Sequence, residues 1–373
     1  MGVEVQELAP TTLLVQGRGL YGLQEPADIL DCGRSGTAMR LLAGILAAQP
    51  FFSILSGDPQ LLRRPMDRVV EPLRRMCGRV FGRDSGRYPP LAIEGTPLLG
   101  IDYTLPVASA QVKSALLLAG LHAYGPTILR GAGLSRDHTE RMLQAMGARL
   151  DTGDGDVVIQ AADELEALDI TVPGDFSSAA YLAVAATLVP GSEVAIEGVG
   201  VNPTRTGLLD VLRAMGADLT LENERLVSGE PVADLIVRSA PLAGVQVGGE
   251  TVVRMIDEFP ILAVAATQAH GETAVRDAGE LRVKETDRIA TVTEELRRMG
   301  AEIEPLPRGF RVRGPTRLKG TVVHSHSDHR LAMALAVAGL VAKGETIVHD
   351  VDCIPDSFPG FEAALSLLGG DLR

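Results

Sequence analysis

One unit keeps returning along this chain, and it limits the fold more than any other feature. A loop rich in Arg, Ser, Thr or Asp opens a helix. The helix closes on Met-Gly-Ala or a near match, and a strand follows. The closures read Ala145-Met146-Gly147-Ala148, Ala214-Met215-Gly216-Ala217 and Arg298-Met299-Gly300-Ala301, with a weaker copy at Arg75-Met76-Cys77-Gly78. They recur every ~70–85 residues, so each copy is a supersecondary unit larger than a solenoid repeat. The loop ahead of each helix is suited to anions. Backbone N–H groups at a helix N-terminus are unpaired, and the macrodipole is positive there.

At 373 residues the chain can build two domains with real cores. Its 46% hydrophobic content excludes a disordered chain. A net charge of −13 argues against a nucleic-acid surface, so any anion-binding Arg must be concentrated locally. Trp is absent and aromatics are 3%, which argues against recognition by stacking. Cys32, Cys77 and Cys353 show no metal-binding spacing, and a reducing cytoplasm is the expected compartment. No apolar run reaches ~18 residues and no secretory pattern opens the sequence, so no membrane association is expected.

Two short strands are expected around Val3–Val5 and Leu13–Val15. Helices are expected over 36–47, 65–76, 110–123, 137–146, 176–188, 258–269, 287–299, 329–342 and 358–368. Strands fall between them, as at Phe51–Leu55, Tyr88–Glu94, Asp102–Leu105 and Thr127–Arg130. This alternation predicts an α/β protein with helices packed under sheets. The repeats divide into two similar domains, 1–168 and 169–373. Residues 1–22 supply only the tail of a first unit, so the architecture should contain a gap.

Several loops carry chemistry. Asp31-Cys32-Gly33-Arg34-Ser35-Gly36-Thr37 is a Gly-rich turn that a helix cap also explains. Arg63-Arg64-Pro65 sets two guanidinium groups at a helix start, where surface Arg is common. In Ser135-Arg136-Asp137-His138-Thr139-Glu140-Arg141 a capping box accounts for Ser, Thr and Glu, but not for two Arg and a His. Arg282 to Arg288 places cations where the dipole disfavours them. A solvated face is the alternative there. Ser327-Asp328-His329-Arg330 precedes an apolar helix, and buried charge needs partners. Asp257 is either an N-cap or an acid at a helix mouth. An acid among cations stays ionised, whereas one beside a bound anion can have its pKa raised and act at neutral pH. No nucleophile elbow, Walker loop or metal spacing is evident.

As a set these motifs resemble the EPSP synthase family, the 3-phosphoshikimate 1-carboxyvinyltransferases. The matching stretches are Gly36-Thr37-Ala38-Met39-Arg40, Arg64-Pro65-Met66, Ser109-Ala110-Gln111, Ser135 to Arg141, Lys284-Glu285-Thr286-Asp287-Arg288 and Asp328-His329-Arg330. They occur in family order and span nearly the whole chain. The resemblance implies two similar domains of βαβαββ units, of the inside-out α/β barrel type, closing over substrates. It implies transfer of the enolpyruvyl group of phosphoenolpyruvate to the 5-hydroxyl of shikimate 3-phosphate, with no cofactor and no metal. It assigns Ser109, Gln111, Ser135, Asp257 and Lys284 to shikimate 3-phosphate. It assigns Gly36, Arg64, Gln111, Arg288 and Arg330 to phosphoenolpyruvate. Asp257 is then the proton acceptor and Glu285 the acid that protonates the methylene carbon. A cytoplasmic monomer sensitive to glyphosate is implied, unless the incomplete edge pairs with another chain.

The sequence departs from the family pattern in three places. The family's opening Pro-Gly-Asp-Lys-Ser segment has no counterpart, and turnover at least ~100-fold below a complete relative is the expectation. Arg34 stands where Asn is usual, and a bulky cation there is expected to alter the phosphoenolpyruvate pocket. Asp356 stands where many members carry Lys. Two other readings stay open at this stage. One is a catalytically impaired fragment or non-catalytic binder of shikimate 3-phosphate. The other is the sister transferase acting on UDP-N-acetylglucosamine, which needs a reactive Cys on a mobile loop. Cys77, read as a repeat core position, disfavours it.

Overall fold

The Met-Gly-Ala closures are helix terminators. In the computed structural model, which describes residues 1–372, Gly147, Gly216 and Gly300 have φ of 84°, 93° and 90°. This left-handed conformation ends a helix and favours glycine. The following alanines close the turn: the Ala148, Ala217 and Ala301 N–H groups donate to Leu143, Leu212 and Leu296 carbonyls, each at 2.9 Å. In the weak copy Cys77 takes this position at φ 71°, and Gly78 N donates to Leu73 O at 2.9 Å. Cys77 is exposed, so it is a helix terminator and not the core residue expected from the sequence.

The chain separates into two compact units, Met1–Ile170 and a second from Thr171 onward. The first contains helices α1 (Gly36–Leu46), α2 (Asp67–Arg75), α3 (Ala110–Gly120) and α4 (His138–Ala145). The second contains α5 (Phe176–Leu188), α6 (Gly207–Ala214), α7 (Phe259–Gln268), α8 (Arg288–Arg298), α9 (His329–Val341) and α10 (Phe361–Leu367).

Each complete repeat is strand, helix, strand, helix, hairpin. In the sheet of Leu30–Asp31, Phe52–Ser56, Tyr88–Glu94 and Arg79–Gly82, the first pair is parallel and the rest antiparallel. The same order holds for Asp102–Thr104, Thr127–Arg130, Asp156–Ile159 and Leu150–Gly153. It holds again for Gln246–Val247, Gly271–Val275, Gly309–Gly314 and Glu302–Leu306. The copy between these has Glu193–Gly200, Glu230–Arg238 and Asp218–Val227, its outer strand reduced to a Gly174–Val199 bridge. The first copy has only a hairpin, Glu4–Ala9 with Thr12–Gln16, exposed throughout. Among the described residues, the last has only the parallel pair Val322–His324 and Ile347–His349.

Among the helix boundaries that differ from expectation, three starts have a clear local cause. α2 starts at Asp67, with Met66 at the cap and Pro65 outside the helix. Asp67 in the first turn favours that start through the dipole. α4 starts at His138. Glu140, the third member of the expected capping box, is drawn instead into a buried ion pair with Lys113. α10 starts at Phe361, because Gly360 at φ 82° breaks the helix expected from Phe358.

Small residues let the helices approach closely. A Cβ on Gly44 of α1 would lie 2.1 Å from the Ala115 carbonyl of α3. In the second unit α5, α7 and α9 are apolar nearly all round and pack in one core. Leu262, Val264 and Leu335 are fully buried there, each contributing roughly 1.5–3 kcal/mol. Buried helices of this kind bring their N-termini, and the loops before them, to fixed places in each unit.

Candidate active site

In the first unit the site is built on the starts of α1 and α3. Ser35 caps α1, accepting from Ala38 N at 3.0 Å. Gly36 has no side chain to hold the surrounding guanidinium groups away. A Cβ there would lie 2.9 Å from Arg40 Nη1 and 3.1 Å from Arg64 Nη1. Arg40 is buried and donates to Gln111 Oε1 at 2.5 Å, Pro65 O at 2.9 Å and Gly36 O at 3.4 Å. Gln111 Nε2 in turn donates to Thr37 Oγ1 at 2.7 Å. Gly36, Arg64 and Gln111 therefore come together as the sequence suggested. Arg40 joins them, although the sequence reading gave it no role.

Ser109 caps α3, accepting from Val112 N at 3.5 Å. Ser135 is buried, and its Oγ donates to Ala132 O at 3.1 Å. A ligand oxygen could accept from it only after that bond is given up. Arg34 forms an ion pair with Asp58 at 3.0 Å, with its side chain about half exposed. Asp356 ends the 3-10 turn Val351–Asp356.

In the second unit the starts of α7, α8 and α9 meet around Asp257. Glu258, not Asp257, occupies the cap position of α7, and its side chain makes no capping bond. Asp257 Oδ1 accepts from Lys284 Nζ at 3.2 Å and lies 3.5 Å from Arg288 Nη1. Its Oδ2 is 3.8 Å from Arg330 Nη2. Arg288 is 1% exposed. Asp328 grips it at both oxygens, from Nε at 2.8 Å and Nη2 at 3.2 Å, and Glu285 Oε2 accepts from Nη2 at 2.8 Å. Asp328 also caps α9, accepting from Arg330 N at 3.0 Å. Asp257, Lys284, Glu285, Arg288 and Arg330 thus form one cluster.

The charges reinforce one another. Burial disfavours the Asp328 carboxylate, but the charge and hydrogen bonds of Arg288 outweigh it and bring its pKa down to about 2. Burial likewise opposes the Arg288 and Arg330 cations. Asp328 and Glu285 overcome it for the first, and Asp257 leads for the second, so both stay above the ordinary Arg value. His329 is pushed below its ordinary value, first by burial and then by Arg330.

Behind this cluster lies a network that the sequence did not reveal. Arg205 Nη2 donates to Asp175 Oδ1 and to Ser177 Oγ, both at 2.8 Å. Ser177 Oγ donates to the buried Glu258, next to Asp257. Burial opposes ionisation of Asp175, but Arg205 and Arg330 hold its pKa below the ordinary value. Asp175 and Ser177 share the local stretch Pro173-Gly174-Asp175-Phe176-Ser177, and no spacing rule links it to Arg205.

Among the described residues, Glu294, Glu295 and His326 could bring ligand atoms within 4.8 Å of one another. Arg298 already pairs with both carboxylates, at 2.8 Å from Glu294 and 3.5 Å from Glu295. No helix of the described residues is long and apolar enough to cross a membrane.

Cations, amide groups and carboxylates gather at helix starts in both α/β units, an arrangement suited to enzymes that hold dense anions. The family profile described as EPSP synthase (3-phosphoshikimate 1-carboxyvinyltransferase) matches residues 1–365. A curated 3-phosphoshikimate 1-carboxyvinyltransferase of Geobacter sp. (strain M21) is 56% identical, over 99% of this chain and 85% of its own length. One from Brevibacillus brevis is 51% identical, over 98% and 85%. A solved EPSP synthase from Acinetobacter baumannii superposes with a TM-score of 0.89 at 41% identity, over 100% of this chain and 86% of its own. The chain belongs to the EPSP synthase family.

Proposed function

We propose that this protein transfers the enolpyruvyl group of phosphoenolpyruvate to the 5-hydroxyl of shikimate 3-phosphate, releasing phosphate. Membership of the family supports this, and the observation that carries the residue roles is the cluster around Asp257. Asp257 lies among Lys284, Arg288 and Arg330, where a hydroxyl drawn to the same cations can pass it a proton. In the reading proposed, Asp257 takes the proton of the attacking hydroxyl. The oxygen bonds to C2 of phosphoenolpyruvate while Glu285 delivers a proton to the methylene carbon. The resulting tetrahedral intermediate then loses a proton from that carbon and expels phosphate from C2, which regenerates the double bond.

Arg64, Arg288 and Arg330, with Gly36 and Gln111, are assigned to phosphoenolpyruvate. Guanidinium forks match carboxylate and phosphate. Ser109, Gln111, Ser135, Asp257 and Lys284 are assigned to shikimate 3-phosphate. Fixed donors aimed at developing charge supply most of the catalysis, with no cofactor or metal called on. A cytoplasmic monomer, indifferent to nucleic acid, completes the proposal.

The test is phosphate release with mass detection of the organic product, omitting each substrate in turn. Phosphate and a carboxyvinyl ether should form only when both substrates are present. Turnover with UDP-N-acetylglucosamine in place of shikimate 3-phosphate, or none with both proper substrates, would overturn the reading.

A further inference from the structure

Lys113 and Glu140 form a buried ion pair that the mechanism above leaves unused. Lys113, on α3, is 0% exposed and Glu140, on α4, is 3% exposed. Their charged atoms are 2.5 Å apart. Burying an ammonium group is costly unless its donors are satisfied. Here Lys113 Nζ also donates to Ala132 O at 3.2 Å and Ser135 O at 3.1 Å. Its three donors thus reach the turn that carries Ser135 and the start of α4. A second tie runs alongside, where Ser114 Oγ and Thr139 Oγ1 are 2.6 Å apart.

The Ala132 carbonyl is shared. It accepts from Lys113 Nζ at 3.2 Å and from Ser135 Oγ at 3.1 Å. The Ser135 N–H donates to it as well, at 3.3 Å, so the carbonyl keeps partners when the Ser135 hydroxyl turns toward a ligand.

We propose that Lys113 is a positioning residue for the phosphate-bearing substrate. It fixes the Ala132–Ser135 turn against α3 by holding the Ala132 and Ser135 carbonyls, so that the Ser135 hydroxyl is presented to a substrate oxygen. This rests on the assignment of Ser135 to shikimate 3-phosphate.

The experiment removes both charges at once, as Lys113→Met with Glu140→Leu, because an apolar pair leaves no stranded buried charge. Calorimetry then measures the Kd of shikimate 3-phosphate, and kinetics measure KM for each substrate. The double variant should weaken shikimate 3-phosphate at least tenfold and leave KM for phosphoenolpyruvate within twofold. A purely structural pair would shift both substrates or neither, and either result overturns the proposal. Ser135→Ala should also weaken shikimate 3-phosphate in the wild-type background and add little in the double variant, since the two act through one hydroxyl. Full additivity counts against the idea.

Glu140→Gln, nearly isosteric, covers the case of a double variant that does not fold. It should weaken shikimate 3-phosphate at least threefold, and an unchanged value in the folded protein overturns the proposal. If wild type binds no shikimate 3-phosphate, the functional reading falls as well. If wild type binds it and Ser135→Ala makes no difference, only this proposal falls.

Discussion

The two units hold their arginines in different ways. In the first, Arg40 donates to the carbonyls of Gly36 and Pro65 and to the side-chain oxygen of Gln111. In the second, Arg288 is bonded to Asp328 and Glu285 and faces Asp257. Neutral oxygens orient a guanidinium and keep its charge available to a ligand. Carboxylates orient it too, but cancel its field and place proton acceptors beside it. The first cluster is suited to anion binding, and the second combines anion binding with acid–base work.

The sharpest way to break this contrast is to remove a guanidinium from each unit. Arg288→Ala leaves the buried Asp328 without its main partner. It should cost roughly 3–5 kcal/mol in urea unfolding, and weaken phosphoenolpyruvate at least about tenfold. Arg64→Ala should weaken phosphoenolpyruvate similarly in calorimetry, yet shift stability by no more than about 1 kcal/mol. Equal stability losses at both sites would erase the distinction.

The carboxylate-held cluster should also show in acid. The Asp328 carboxyl is depressed to about 2 by Arg288, against an unfolded value near 3.9. A depressed carboxyl contributes stability that is complete above the unfolded pKa and lost as pH falls through the folded one. That window runs from about pH 4 to pH 2, and the contribution is about 2–3 kcal/mol. Urea midpoints of wild type and Asp328→Asn should converge across it. Curves that stay parallel to pH 2 would argue that Asp328 is not held by charge.

The smallest effect concerns the repeat itself. Cys77 occupies a left-handed terminator position that glycine fills in the other copies. Cys77→Gly should raise stability by up to about 1 kcal/mol, read as a higher Tm. A lower Tm would mean that the Cys77 side chain contributes contacts that outweigh its strain.

Much of this was legible in the sequence. Met-Gly-Ala endings are local signals, because one left-handed residue and the bonds around it end each helix. The helix-mouth motifs also lay within a few residues of one another, and the resemblance gave their order. What stayed hidden depended on distance. Glu140 read as part of a capping box, yet its partner is Lys113, 27 residues earlier in the chain. The Arg205–Ser177–Glu258 network joins three segments with no shared pattern. Asp257 could be a cap or an acid on local grounds, and the choice is decided by Glu258 taking the cap position and by the cations gathered around Asp257.

The most direct measurement is single-turnover rapid-quench kinetics on Asp257→Asn and Glu285→Gln, with substrate affinities measured in parallel. Both changes keep shape and remove a titrating group. The account predicts that each variant still binds both substrates, while formation or breakdown of the intermediate slows by about 100-fold or more. Wild-type chemical rates in either variant would contradict the role given to that carboxylate. Wild-type rates in both would contradict the division between an anion-binding cluster and a proton-moving one.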